Sequence, residues 1–553
     1  MKSPKWFIAV ATLTVALAVL AQDKSPFALP YPPPAALARI TAAGIRANMA
    51  FLADDLLEGR GTATRGHEIA ALYMRSRFEE LGLRPAGTNG DFYQQVPLRR
   101  MTLVPEGTSL TVTHSGKTDR LQLGRDYITS GNALETTSSA EAPLAFVGFG
   151  VTAPEFGYDD FATVDARERI VVELWGAPNK FPDAPRAYYS DSYIKAKNAA
   201  AHGAIGLIVL WAGPMSERIP FDRLVRFFEE PQLRWLDARN FPNEAVPEIR
   251  GFAVMNDKSG ALLFEGARKS LQRSLDDASQ GIPQGFSLPS QAAIHQMTRF
   301  TKVESPNVVA VLPGSDPALK NEYVVFSAHL DHLGIGEAIK GDAIYNGALD
   351  NASGSSALLE IARAFVDLPT PPRRSIIFLS VTGEEAGLLG SDFFARNPTV
   401  PIKQIVADIN MDGLALLYDF RDLVGIGVEH SSLHNELEDV AKHMNLEVSP
   451  DPMPEEVFFV RSDQYSFVKQ GIPSLFLTEG FKTVDPKLSG KSISLEWEST
   501  IYHTPQDDMK QPFNFEAGAK FTKVDFAIGY EVAQETSRPQ WNPGDFFQAR
   551  FAQ

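Results

Sequence analysis

One apolar run constrains the fold of this 553-residue chain more than any other feature. Residues Tyr323 to Ala328 have the composition of a strand that is buried on both faces. A glycine-rich loop follows, and then a stretch with apolar residues at helical spacing from Ser353 to Phe365. This order of strand, loop and helix recurs down to the C-terminus. The recurrence predicts a mixed, mostly parallel sheet that is covered by helices.

The individual elements of this pattern can be predicted from their periodicity. The predicted strands are Asn307–Leu312, Tyr323–Ala328, Ser375–Val381, Ile405–Met411 and Ser474–Leu477. The predicted helices are Ser353–Phe365, Leu388–Arg396, Ser432–Met444, Asp463–Lys469 and Ala517–Gln534. Residues 142–289 have a different character and are interpreted as an inserted domain, with a polar linker from Asp276 to Pro289 at its exit. The aromatic-rich segment 220–248 shows no clear period and could be a lid or an insertion.

Polar residues with metal-ligand chemistry stand where the first of these strands ends. His329 and Asp331 are two residues apart, so period-2 geometry puts both side chains on one face. Because a metal-bound imidazole usually donates its other N–H to a carboxylate, Asp331 is predicted to accept it from His329. The following loop contains Asp350 among turn-forming residues.

Three later segments repeat this placement. Glu384 and Glu385 follow the third strand, Asp412 follows the fourth, and His503 lies in a turn-rich segment near Pro505. Ligands of open α/β sheets bind at the carboxyl ends of strands, so these side chains are expected to converge there. Imidazoles with carboxylates and no thiolate suit a catalytic zinc-type site. Neighbouring glutamates point apart, so one can bind metal while the other handles a proton.

These motifs resemble peptidase family M28, the co-catalytic di-zinc metallopeptidases that are mostly aminopeptidases. The matching motifs, in order, are HLDHLG, YNGALDNASG, TGEEAGLLGS, NMDG, RSDQYSFVKQGIPSLFL and YHTPQDD. The segment FLADDLLEGRGTATRGHEIAALYM resembles what the family carries before its sheet. GFGV, RIVVELWG and AKNAAAHGAIGLIVLW resemble the protease-associated (PA) domain that is often inserted into it. The implied fold is that of the zinc exopeptidases (phosphorylase/hydrolase-like), with a smaller, β-rich α/β PA domain.

The resemblance implies a division of the chain and a role for each site residue. The segments are a signal peptide at 1–21, an N-terminal part of the peptidase domain at 22–141, the PA-like insertion at 142–289 and the catalytic domain at 290–553. The implied ligands of two Zn²⁺ ions are His329 and Asp412 for one, Glu385 and His503 for the other, and Asp350 as the bridge. Glu384 is the implied general base, and Tyr502 the implied stabiliser of the oxyanion. Asp331 is expected to support His329, and Asp507 to support His503. A cis peptide is implied between Asp350 and Asn351.

The implied function is an exopeptidase that hydrolyses the N-terminal bond of peptides with a free amine, with a hydroxide between the metals as nucleophile. Three alternatives remain open from the residues. The first is a carboxypeptidase, for which Arg461 could bind the substrate carboxylate. The second is a glutaminyl-cyclase-like enzyme with one zinc. The third is a receptor-like binding protein that performs no catalysis.

The N-terminus and the charge bear on location and partners. Lys2 and Lys5 precede an apolar run that ends before a small-residue cleavage site at Ala21, as in a secretory signal peptide. An uncleaved anchor is the alternative, and no later segment is predicted to span a membrane. We expect a periplasmic or secreted bacterial protein. The net charge of −16 argues against nucleic-acid binding, and without cysteine any transition metal must be held by His and carboxylates.

Overall fold

The computed structural model describes residues 30–552, apart from 214–215 and 217–219. The predicted signal peptide at 1–21 lies outside the described residues. The strands are β1 (Arg84–Pro85), β2 (Tyr93–Leu103), β3 (Ser109–His114), β4 (Lys117–Leu121), β5 (Tyr127–Ile128), β6 (Thr137–Phe146), β7 (Thr152–Ala153), β8 (Tyr158–Asp159), β9 (Ile170–Leu174), β10 (Gly206–Trp211), β11 (Gln232–Trp235), β12 (Phe252–Asn256), β13 (Phe286–Leu312), β14 (Tyr323–His329), β15 (Gly334–Ile339), β16 (Asp342–Tyr345), β17 (Ser375–Val381), β18 (Ile405–Asn410), β19 (Asp422–Ile426), β20 (Glu447–Val448) and β21 (Ser474–Glu479).

The helices, in chain order, are α1 (Pro34–Leu37), α2 (Ala42–Leu52), α3 (Arg65–Glu80), α4 (Asp183–Ser190), α5 (Ser192–Ala201), α6 (Phe221–Glu229), α7 (Asp257–Leu262), α8 (Leu271–Ser279), α9 (Gly354–Val366), α10 (Leu389–Arg396), α11 (Leu433–His443), α12 (Gln464–Val468), α13 (Gly490–Thr500), α14 (Phe515–Gln534) and α15 (Phe546–Phe551). Short 3-10 turns connect several of them. None of the helices within the described ranges is both long enough and apolar enough to cross a bilayer.

The first sheet is mixed and has four parallel strands at its centre. Strand β14 lies between β17 and β18 and is parallel to both, and β18 is also parallel to β21. Antiparallel β19 continues the sheet beyond β21, and antiparallel β13 and β2 continue it beyond β17. The predicted mostly parallel α/β fold and its five strands are thereby confirmed.

Strand β14 is buried on both faces, as its composition predicted. Val324, Phe326 and Ala328 point into a core shared with helices α2, α3, α9 and α14, while Val325 points into a second core. The ring of Phe326 lies 5.6 Å from that of Phe365 and 6.2 Å from that of Phe378. Such burial fixes the position of the residue at the end of the strand, His329.

The second sheet contains strands that lie within residues 142–289 and strands that flank this interval. Strands β6, β9, β10 and β12 run parallel to one another, and antiparallel β5 flanks β12. The first half of β13 pairs with β3 and β6 and thus completes this sheet. The division at 142–289 stays a prediction; strands on both sides of that interval join the sheet.

The prediction of a polar linker at the exit of residues 142–289 is wrong. Residues Asp276 to Pro289 contain the end of α8 and the start of the 27-residue strand β13. This one strand runs through both sheets, pairing first with β6 and then with β2. The segment 220–248, which has no clear period, contains α6 and β11, and β11 pairs with β2 of the first sheet.

Candidate metal centre

The predicted site residues converge at the carboxyl edge of the first sheet. His329 is the last residue of β14, while Glu384 and Asp412 follow the ends of β17 and β18. The parallel pairing of β14 with both neighbours places these three strand ends side by side. The remaining ligands come from loops, Asp350 before α9 and His503 after α13.

A first cluster forms around His329, whose side chain is buried. Its Nε2 atom lies 3.0 Å from Oδ1 of Asp412 and 3.3 Å from Oδ1 of Asp350. The potential ligand atoms of the three side chains all lie within 4.8 Å of one another. One imidazole and two carboxylates at this spacing can surround a single divalent cation.

A second cluster shares Asp350 with the first. Oδ2 of Asp350 lies 3.1 Å from Nε2 of His503, and Oε2 of Glu385 lies 3.3 Å from the same nitrogen. The two oxygens of Asp350 therefore face different imidazoles, as a bridging ligand requires. All five side chains that were predicted to be metal ligands come together here.

His332 belongs to the centre, although the sequence reasoning gave it no role. Its Nδ1 atom lies 2.7 Å from Oε1 of Glu385, and with Asp350 the three residues form a group of ligand spacing. Its Nε2 atom is buried and has no hydrogen-bond partner in the described part of the chain. Gly347 allows this approach, since a Cβ on it would collide with the imidazole. The second histidine of HLDHLG was the available signal.

The charges at the centre fit divalent cations. Burial opposes protonation of His503, but the negative charge of Glu385 and the hydrogen bond with Asp350 raise its pKa to about 10. Burial also opposes the charge of His329, and Asp412 and Glu384 outweigh it and raise its pKa. The imidazoles thus act as counter-ions to the carboxylates. A bound metal would replace those protons, because ligand atoms must be deprotonated.

Glu384 differs from its neighbour in its contacts. Burial raises the pKa of Glu384 well above its usual value; His329 opposes the rise, and Asp412 and Glu385 add to it. Its backbone N–H donates to Oδ1 of Asp331 at 3.1 Å, which fixes the turn.

Tyr502 stacks on His503 with ring centroids 3.8 Å apart. Burial and the surrounding carboxylates raise the pKa of this phenol.

The predicted contact of the Asp331 carboxylate with His329 is wrong. Nδ1 of His329 instead lies 3.1 Å from the backbone carbonyl oxygen of Asp331. The carboxylate accepts hydrogen bonds from Thr62 Oγ1, at 2.9 Å, and from the N–H of Glu384. The Asp331 side chain therefore does not reach the imidazole of His329. It connects the loop after strand β14 to the turn at Glu384.

The predicted support of His503 by Asp507 is also different in the structure. The buried Asp507 carboxylate accepts the N–H of Leu349 at 2.8 Å and the N–H of Asp350 at 3.0 Å. Asp507 therefore orients the bridging residue. The peptide between Asp350 and Asn351 is cis, as the resemblance implied.

Arg60 is a further positioning residue that the sequence reasoning did not single out. Its side chain is fully buried and donates to the carbonyls of Leu330 at 2.8 Å, Asn346 at 2.6 Å and Gly347 at 2.9 Å, and also to that of Leu52. The guanidinium thus connects helix α2 to the loops that carry His332 and Asp350. The planar fork of an arginine is suited to such multiple acceptors.

Comparisons with known proteins bear on the family and the fold of this chain. The model of peptidase family M28 matches residues 307–526. Aminopeptidase NAALADL1 of Rattus norvegicus is 28% identical over 262 residues, which are 39% of this chain and only 33% of that protein's own length. A probable leucine aminopeptidase of Trichophyton verrucosum is 26% identical over 305 residues, 53% of this chain and 77% of that protein. The fold is similar to that of an aminopeptidase from Aneurinibacillus sp. strain AM-1, with a TM-score of 0.52, 17% identity and coverage of 92% of this chain and 98% of that one.

Replacing Arg60 tests whether it positions the centre. Arg60→Lys keeps the charge but loses the planar fork, so we expect zinc affinity to fall about 10- to 100-fold, as for other residues that orient ligands. Competition with a chromophoric chelator measures this affinity. Arg65→Lys, at the exposed start of α3, is the matched control. Wild-type zinc affinity in Arg60→Lys would exclude the positioning role.

Proposed function

Because this chain belongs, through residues 307–526, to peptidase family M28, we propose that the protein is a di-zinc aminopeptidase that removes N-terminal residues from peptides. One observation carries the proposal: Asp350 lies within 3.3 Å of His329 on one side and 3.1 Å of His503 on the other. Two cations that share one ligand require a carboxylate whose two oxygens face different imidazoles, and Asp350 has this arrangement.

In this proposal, His329 and Asp412 would hold one zinc ion, Glu385 and His503 would hold the other, and Asp350 would contribute to both sites. His332 lies against Glu385 and either orients that carboxylate or joins the second ion. When bound, two zinc ions supply a water of lowered pKa and polarise the scissile carbonyl.

Glu384 is the group that moves the proton. Glu385, the adjacent glutamate, contacts both His332 and His503, whereas Glu384 makes neither contact. The Glu384 carboxylate can therefore accept a proton from the attacking water and return it to the leaving amine. Tyr502 is neutral at physiological pH, since a phenol ionises only near pH 10 and burial raises its pKa further, so its hydroxyl can donate to the developing oxyanion.

The charge of the centre favours a free substrate amine over a free carboxylate. With two zinc ions bound, the three carboxylate ligands and Glu384 offset the metal charge, so the centre lacks the net positive charge that would attract a substrate carboxylate. Arg461, the candidate for a carboxypeptidase, pairs with Glu456 at 3.2 Å and lies over the ring of Phe458. A cyclase-like enzyme with one zinc does not use two imidazole clusters. A receptor that performs no catalysis does not need the retained base.

We also propose that the protein is exported and that residues 142–289 form a PA-like domain. The lysine-flanked apolar run at the N-terminus supports export, and the parallel strands β6, β9, β10 and β12 support a compact inserted α/β unit. Mass spectrometry of the protein recovered from a bacterial host's periplasm should find Gln22 as the first residue. An intact N-terminus on a cytoplasmic protein would contradict export.

The role of Glu384 can be separated from metal binding. Glu384→Gln keeps the shape but cannot accept the proton, so kcat should fall about 10²- to 10⁴-fold. Zinc content, measured by atomic spectroscopy, should stay at the wild-type value. Glu106→Gln, at an exposed position, should leave both quantities unchanged. Near-normal turnover in Glu384→Gln would rule out the assigned role.

The exopeptidase direction is tested with paired substrates. Amino-acid 4-nitroanilides with a free amine should be hydrolysed, and their N-acetylated forms at least about 100-fold more slowly, because acetylation removes the amine that the centre would bind. Peptides with an amidated C-terminus should be cleaved as well as those with a free one. Preference for free C-termini would instead indicate a carboxypeptidase.

A further inference from the structure

A second group of ligand-type side chains lies away from the centre described above, between two helices. Asp439 and His443 are on α11, and Glu531 is on α14. Each residue offers one ligand atom, and the three atoms lie within 4.8 Å of one another. A ring nitrogen of His443 lies 3.1 Å from Oδ2 of Asp439. The amino-terminal segment covers this group, since Tyr31 stacks on His443 with centroids 4.2 Å apart.

Glu531 provides an independent indication of a ligand. Its side chain is 0% exposed, and within the described residues neither carboxylate oxygen accepts a hydrogen bond from an N–H or hydroxyl group. The neighbouring Glu436 is 3% exposed and also has an unpartnered oxygen. Among the residues that the structure describes, His443 alone forms an ion pair with any of these three acids, through Asp439. Buried carboxylates without a cationic partner are costly unless they bind a proton or a metal.

Asp525 shows what a buried acid on the same helix does without such neighbours. Both of its oxygens are buried and have no hydrogen-bond partner in the part of the chain that the structure describes, and burial alone raises its pKa well above the usual value. It belongs to none of the groups of ligand spacing in the described chain. A proton is sufficient there. At Glu531 the Asp439 carboxylate and the His443 imidazole converge on the same point, so all three side chains can bind one cation there.

We propose that Asp439, His443 and Glu531 form a separate binding site for a zinc-class divalent cation, which fastens α11 and the segment at Tyr31 to α14. A set of one imidazole and two carboxylates selects borderline ions such as Zn²⁺ and Co²⁺ over Ca²⁺, which prefers oxygen ligands alone. The ion would neutralise the buried acids and hold the two helices together. This site does not depend on the proposed peptidase activity.

The site can be tested by counting bound metal in the full-length protein after dialysis against Zn²⁺. Wild-type protein should hold one more equivalent per chain than Glu531→Gln or His443→Ala. Asp350→Asn, which removes the bridging ligand of the other centre, should retain the extra equivalent. With Co²⁺, the visible absorption of the retained ion in Asp350→Asn should disappear when His443→Ala is added.

Two control variants are matched to these changes. Asp525→Asn alters an equally buried acid on α14, and His434→Ala alters an exposed histidine on α11, so both should keep wild-type metal content. His443→Ala also covers the case in which Glu531→Gln does not fold, because 39% of the His443 side chain is exposed. Equal zinc content in wild type and His443→Ala, or selection of Ca²⁺ over Zn²⁺, would overturn the proposal.

Discussion

The structure depends on how the negative charge that is concentrated at one buried sheet edge is balanced. Asp331, Asp350, Glu384, Glu385 and Asp412 gather where β14, β17 and β18 end. Carboxylates this close repel one another, and burial removes the water that would screen them. The imidazoles of His329 and His503, whose pKa values are raised, offset part of the charge, and Arg60 adds a fixed positive group behind Asp350. Two divalent cations would complete the balance, which explains why the ligands can meet at these distances.

The supporting contacts are made mainly by backbone groups of loops. Arg60 donates hydrogen bonds to backbone carbonyls of two loops, and the Asp507 carboxylate accepts hydrogen bonds from the N–H groups of Leu349 and Asp350. Ser462 donates to the Asp412 carboxylate at 2.6 Å and fixes its orientation. The ligand side chains themselves are thus free to face the cations, because other residues satisfy the surrounding backbone. The amino-terminal segment before the sheet contributes Arg60 and Thr62 and is part of the site for this reason.

The sequence predicted what periodicity and motif order determine. The central strands and the helices that cover them follow from apolar runs and helical spacing. The ligand roles of the five metal-site residues were implied by the resemblance to the family, and two of them, Asp350 and His503, lie in loops. The hydrogen-bond partners of the Asp331 carboxylate could not be predicted from the sequence, because they depend on the conformation of the turn after the strand. His332 was missed because it follows His329 by only three residues and looked like part of the same motif. The continuous β13 was missed because Pro289 and polar neighbours are typical of a linker.

Strand β13 also determines how the inserted region is attached. A domain that is joined by two flexible linkers can rotate, since few contacts cross the boundary. Here one strand pairs with β6 in one sheet and with β2 in the other, so the two sheets share a backbone. A second attachment comes from β11, which pairs with β2, and Trp235 at its end donates to Asp392 of α10 at 3.0 Å. Because α10 follows the Glu384–Glu385 turn, these contacts attach the segment that contains β11 to the first sheet close to the metal ligands.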